Sequence, residues 1–444
     1  MNIVSVKKGY DLNLAGKPSM ECEQAAAPTR VGFHPDRIPY IKPRLRVKEG
    51  ETVLAGAPLL EDKRNPRVTF PSPGSGRVAR IGFGLRRVIT EIVIELDPEV
   101  SAAVFPALSP EKLAAVDRTE LVTAILDGSV WPLFRELPFK DIPHPETIPP
   151  LIIVHLGSTA PFHPLPQLYL KGRTEDFEFG LEILKRLTER VLVTAPAGGT
   201  GLEAIDQLVT HHIQGEYPAD DPATVLYHVK TTPQENRGWY INGQDLLTLA
   251  AFLRRGQYPV DRIVAVGGPR STHNRHLATR AGAPLADLFG KTDTDGLRLV
   301  SGGIFSGYGA GCDDFLGFYE TALTLMPAGD LKEILGFIRP GYKKPSHSRA
   351  FLSVFNRAPM VVECDMNGED RACINCGYCP RVCPVDILPQ FTFKAVEADE
   401  IEEALALGLL DCVECGLCSF VCPAKIEIAD ILKKAKEAYA KEIA

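Results

Sequence analysis

The run Cys373-Ile374-Asn375-Cys376-Gly377-Tyr378-Cys379-Pro380-Arg381-Val382-Cys383-Pro384 is answered further on by Cys412-Val413-Glu414-Cys415-Gly416-Leu417-Cys418-Ser419-Phe420-Val421-Cys422-Pro423. Both read C-x2-C-x2-C-x3-C-P, and each cysteine recurs 39 residues later, so one module has been duplicated. Three cysteines at two-residue gaps wrap a tight loop around three corners of an iron–sulfur cubane. Loop amides then face its negative charge, and the fourth cysteine reaches across to the other cluster. The expected ligand sets are Cys373, Cys376, Cys379 and Cys422 for one four-iron, four-sulfur cluster, and Cys412, Cys415, Cys418 and Cys383 for the other. The fourth cysteine of each run is expected to open the following helix. Gly377 and Gly416 are expected where backbone passes close to a cluster, with Pro384 and Pro423 ending each loop. Structural zinc uses cysteine pairs set well apart, which these runs do not resemble. The chemistry expected of this region is one-electron transfer.

Between the runs, residues 397–407 have helical apolar spacing that stops at Gly408. After them Ile428, Ile431, Leu432, Ala435 and Tyr439 recur at helical steps, with Lys433, Lys434 and Lys436 between. This final helix is expected to pack on its own domain.

The chain has 444 residues, 45% of them hydrophobic, and a net charge of −7. That is enough for several domains with cores, and the charge gives no footprint for nucleic acid. Eight of the eleven cysteines fall in the two runs, a distribution that suits metal in a reducing compartment better than a disulfide framework. Cys22, Cys312 and Cys364 stand alone and are expected to be buried and inert. The first twenty residues carry no secretory-signal pattern. No apolar run approaches the ~18–20 residues of a membrane span. A soluble or peripheral protein is expected.

Residues 40–100 show short alternating stretches broken by glycine and proline, as in a small β sandwich. Their pattern resembles the biotinyl/lipoyl hammerhead, with Lys63 near the place of the modified lysine. The following 64–67, with Pro66 and two arginines, is expected to break that hairpin and leave a plain scaffold. From about 120 to 260, strand-like runs at 151–156, 191–194, 224–229 and 262–266 alternate with helical spacing at 179–187 and 246–255. This alternation implies a parallel sheet with helices on its faces. Pro196-Ala197-Gly198-Gly199-Thr200-Gly201 lies between a strand and a helix-like stretch, where a phosphate-binding turn would sit. It matches neither G-x-G-x-x-G nor a Walker loop, so Gly198, Gly199 and Gly201 are the candidate cofactor residues and a plain turn is the alternative. A second glycine cluster, from Gly267 to Gly311, suits a small β-grasp-like domain. His211 and His212 are adjacent and do not share a face, so they form no metal pair.

The order of these parts resembles NqrA, from the sodium-pumping NADH:quinone oxidoreductase (Nqr), and the related RnfC of the Rnf complex. The resemblance rests on Lys7-Lys8-Gly9-Tyr10-Asp11-Leu12 with Ala15-Gly16, Val47-Lys48-Glu49-Gly50 and Glu61-Asp62-Lys63-Arg64-Asn65-Pro66. Leu126, Gly128, Trp131, Arg135, Pro138 and Phe139 follow, then 262–269 with 280–285, and Val300-Ser301-Gly302. Gly336-Phe337 with Pro340-Gly341, 381–389 and 420–423 complete it. NqrA usually lacks most of the cluster cysteines, whereas RnfC keeps eight, as this chain does. The flavin and NADH signature of RnfC has no match here.

The expected architecture is multidomain α/β and α+β. It comprises a barrel-sandwich, hammerhead-like domain (1–110), a Rossmann-like α/β domain (111–258), a β-grasp, SLBB-like domain (259–345) and a ferredoxin-like helical domain with two clusters (346–444). The resemblance implies a peripheral subunit on the cytoplasmic face of the inner membrane, working with other subunits of an Nqr/Rnf-like complex. Electrons would pass between NADH or ferredoxin and flavin or quinone subunits. FMN, NAD(H) and quinone are the further cofactors that it raises. The alternatives are a flavin-dependent NADH dehydrogenase in its own right and an iron–sulfur adaptor for a soluble partner redox enzyme.

Overall fold

Glycine- and proline-punctuated alternation does produce a β domain, in two facing sheets. One runs in the order Arg30–Phe33, Ile89–Leu96, Gly76–Phe83, Thr52–Val53, the other Pro43–Leu45, Pro58–Asp62, Asn65–Pro71. Val31, Phe33, Leu60, Phe70, Val78, Ile92 and Ile94 point between them and are buried. At about 1.5–3 kcal/mol for each large apolar side chain removed from water, this filling holds the sheets together. The structure is a computed structural model; it describes residues 2–99, 102–157, 159–290, 295–329, 340–344, 346–347, 351–364 and 369–443. The Gly336-Phe337 pair of the family resemblance lies outside the described residues.

Contrary to the expectation for residues 64–67, a hairpin forms there. Pro58–Asp62 pairs with Asn65–Pro71, leaving exposed Lys63 and Arg64 at the turn. The Arg64 guanidinium bridges Asp62 and Asp141, and an amide–carboxylate bond from Arg64 N to Asp62 Oδ1 closes the turn. These contacts outweigh the local penalty of Pro66.

The α/β sheet has the order Asn2–Ser5, His211–Gln214, Val191–Pro196, Ile152–His155, Trp239–Asn242, Arg135–Glu136. All pairs are parallel except the last. Ile152, Ile153 and Val154 are all buried, the continuous apolar run of a strand covered on both faces. The helices Thr174–Leu187 and Gly243–Arg255 pack together over one face. The outermost strand comes from the very start of the chain, and Cys22–Gln24 joins yet another sheet, so residues before Arg30 staple separate sheets to one another.

The expected strand at 224–229 is a helix, Pro222–Val229. Asp221 caps it by accepting from the Ala223 amide at 2.9 Å, and Pro222 sits at its first turn, where a missing N–H is harmless. Its β-branched residues gave the strand-like reading; the cap and tertiary packing override them. The strands that complete the sheet are His211–Gln214 and Trp239–Asn242. The stretch 262–266 is a strand as expected, within Asp261–Gly267, but it belongs to a separate sheet. There it forms a hairpin with Arg275–Arg280 and runs parallel to Ala322–Pro327.

The C-terminal region is helical. Tyr378–Val382, Pro389–Glu397, Ile401–Ala406, Leu417–Phe420 and Ile428–Ile443 surround a core made partly of the cysteines themselves. The expected single helix at 397–407 is interrupted, with Asp399 at a φ of 62° between two shorter ones. No helix among the described residues is long and apolar enough to cross a membrane.

Candidate iron–sulfur centre

The two cysteine runs fold alike, down to their unusual backbone. Asn375 and Glu414 have positive φ of 53° and 60°, Gly377 and Gly416 of 74° and 78°, Asp386 and Lys425 of 56° and 61°. Each pair occupies equivalent positions in the duplication. In both runs the glycine precedes a short helix, Tyr378–Val382 or Leu417–Phe420, that carries the third cysteine. The fourth cysteine therefore follows a helix and does not open one: Cys383 is the C-cap of Tyr378–Val382.

Among the described residues no cysteine is joined in a disulfide. Cys373, Cys376, Cys379 and Cys422 line one small cavity together with Gly377, Gln390 and Ile428. Burial pushes the Cys379 thiol up to about 11, with the charges of Cys376 and Cys422 adding to it. Cys383 likewise rises to about 11 through burial and the charge of Cys412. Burial raises Cys415 and Cys418 as well, and both feel Cys412 and Cys383. The fourth cysteine of each run thus meets the first three of the other. Amides face the sulfurs: those of Val385 and Ile387 hold Cys383 down, Glu414 N acts on Cys412, and Leu417 N on Cys415. Such N–H groups favour a charged sulfur. Among the described residues no group of His, Cys, Asp or Glu side chains is arranged to grip a single metal ion. Two four-thiol sets with amides turned toward their sulfurs fit iron–sulfur clusters.

The two sets differ in surroundings. The outer one, 373/376/379/422, reaches the surface: Cys376 is exposed, Cys373 is half-buried, and a Cβ placed on Gly377 would meet nothing within 4 Å. The inner one, 383/412/415/418, is walled by the other domains. A Cβ on Gly416 would stand 2.6 Å from the carbonyl oxygen of Phe305. The Tyr217 hydroxyl donates to Cys415 O at 2.9 Å, and Lys140 Nζ to Val413 O at 3.2 Å. The helix Pro222–Val229 lays Ala223 and Tyr227 against the cluster core, and His228 Nε2 lies 2.9 Å from Pro384 O. Lys230 pairs with Asp411, and Lys8 with Asp386.

Lys436 departs most from expectation. Placed between the apolar positions of the final helix, it is buried, with Nζ 2.8 Å from Cys412 O, 3.0 Å from Pro138 O and 2.8 Å from Glu414 Oε1. The sequence did carry a signal: Lys436 stands four residues after Leu432 and eight after Ile428, on the apolar stripe. Nothing local marked Lys140, Tyr217 or His228.

The glycine loop at 196–201 does not join the cysteines. It leaves the strand Val191–Pro196 and enters a helix of one turn, Glu203–Asp206. Asp206 accepts from the Thr200 amide at 2.7 Å and from the Thr200 hydroxyl at 2.8 Å. The Thr200 donors are thus engaged by an internal carboxylate, and Gly199 N donates to Pro196 O. Cys22, Cys312 and Cys364 differ from expectation as well: Cys22 is exposed on an edge strand, and Cys312 and Cys364 are half-buried in a turn and a bend.

Duplicated four-thiol sets in a helical domain, docked on α/β and β domains, define a dicluster iron–sulfur protein. Residues 372–426 match the 4Fe-4S dicluster domain, residues 4–97 the NqrA N-terminal barrel-sandwich hybrid domain, and residues 116–258 the NqrA second alpha/beta domain. The chain is 32% identical over 448 residues to the NqrA subunit of the Na(+)-translocating NADH-quinone reductase of Neisseria meningitidis serogroup B, covering 99% of this chain and 100% of that one. The subunit of the same name from Klebsiella pneumoniae subsp. pneumoniae is 33% identical over 414 residues, 92% of each chain. The chain belongs to the NqrA family of the Na(+)-translocating NADH-quinone reductase.

Proposed function

We propose that this chain is the peripheral iron–sulfur subunit of an Nqr/Rnf-like membrane oxidoreductase, on the cytoplasmic face of the inner membrane. It relays single electrons between a soluble donor, NADH or ferredoxin, and flavin or quinone subunits. The observation that carries this reading is the pairing of one surface-reaching four-thiol set with one enclosed by the other domains. Cys373, Cys376, Cys379 and Cys422 hold the outer cluster; Cys383, Cys412, Cys415 and Cys418 hold the inner one. When bound, the clusters supply reversible one-electron chemistry at fixed positions. The chain's own residues position and shield. Tyr217, Lys140 and Lys436 fix the inner loop through its carbonyls, and the helix Pro222–Val229 seals one side of the domain from water.

The remaining domains serve docking. We read them as hammerhead-like, Rossmann-like and β-grasp, the last because a hairpin and a parallel strand surround Leu285–Phe289. Gly198, Gly199 and Gly201 form a turn tied by Asp206, which supports assigning FMN and NADH to partner subunits. Anaerobic titration tests this. NADH added to the iron-loaded chain alone should leave the clusters oxidised, and reduction should need the flavin-bearing subunits. Bound flavin with rapid reduction by NADH would make the chain the dehydrogenase itself.

A further inference from the structure

We infer that Lys436, assisted by Lys140, sets the reduction potential of the inner cluster and leaves that of the outer cluster unmoved. The inference rests on the ligand sets proposed above. Lys436 is 1% exposed, the only buried lysine among the described residues. The helix Ile428–Ile443 delivers it beneath the 412–415 turn, where its three protons meet Cys412 O, Pro138 O and Glu414 Oε1. Lys140 Nζ donates to the next carbonyl, Val413 O, and pairs with Asp221 at 3.0 Å. Two ammonium groups therefore bear on consecutive peptides of the inner loop, one of which belongs to a cluster ligand. The equivalent positions of the outer loop, Cys373 and Ile374, are half-buried and exposed, where water screens any charge.

Reduction adds one negative charge to a cluster. A fixed cation close by, away from water, stabilises the reduced form and raises the potential; a fixed carboxylate does the reverse. Lys436 and Glu414 form a pair whose cationic end binds the Cys412 peptide. Removing one end or the other should move the potential in opposite directions. A role confined to pegging the loop would not do this.

The test is a potentiometric titration followed by electron paramagnetic resonance on the full chain. Cys376→Ala, which loses the outer cluster, identifies the inner signal. Lys436→Met keeps the stem and should lower the inner potential; Glu414→Gln should raise it; the outer potential should stay put. Lys140→Met, at a half-buried site, should lower the inner potential by less and serves if Lys436→Met does not fold. Shifts of one sign for the lysine and glutamate variants, no shifts, or equal shifts in both clusters would overturn the inference. A wild-type chain without two clusters would overturn the ligand sets and this inference with them.

Discussion

Gly377 and Gly416 hold the same place in the two runs, at φ of 74° and 78°, yet their neighbourhoods differ. Alanine at either would cost about 1–2 kcal/mol from the left-handed backbone alone. At 416 the new Cβ would also meet Phe305 O, a backbone atom that cannot swing aside. Gly416→Ala should therefore lower the melting temperature more than Gly377→Ala and shed the inner cluster's iron; equal effects would contradict the enclosure of the inner set. Cys376→Ala should halve the iron, from about eight to about four per chain, and unchanged iron would refute its place as a ligand. The gathering of the cysteines into two sets was legible in their repeated spacing. Lys436 was half legible, as a charge on an apolar stripe. Lys140 was not, since its meaning comes from a loop 273 residues away that sequence order does not bring near it.

At the scale of elements, the misread stretch 224–229 matters most, because the helix Pro222–Val229 is what the cluster domain rests on. A run of Thr, Val, Leu, Tyr and Val favours a strand by propensity, and only Asp221-Pro222 argued otherwise. Parallel strands at 151–156 and 191–194 were legible because buried parallel strands read as unbroken apolar runs. The short edge strand Asn2–Ser5 was not, its residues being exposed or half-buried. Asp221 both caps the helix and neutralises Lys140. Asp221→Ala should cost ~1 kcal/mol for the cap and more for the half-buried ammonium left unpaired, so that thermal unfolding begins earlier. An unchanged melt would show that the helix does not anchor the domain.

At the scale of the whole molecule, the α/β sheet and the glycine-rich turn that carries Phe305 enclose one side of the cluster domain and leave the outer thiol set open to water. Oxidative attack should follow that asymmetry. Ferricyanide should bleach the visible absorbance in two phases, the outer cluster first, and the fast phase should be missing from Cys376→Ala; a single phase would contradict unequal enclosure. The proposed function depends on the eight paired-run thiols holding two cubanes, and an anaerobic preparation analysed for iron, acid-labile sulfide and zinc tests that most directly. About eight irons and about eight sulfides per chain, with negligible zinc, is the predicted result for two cubanes. About two zinc ions per chain and no labile sulfide would contradict it.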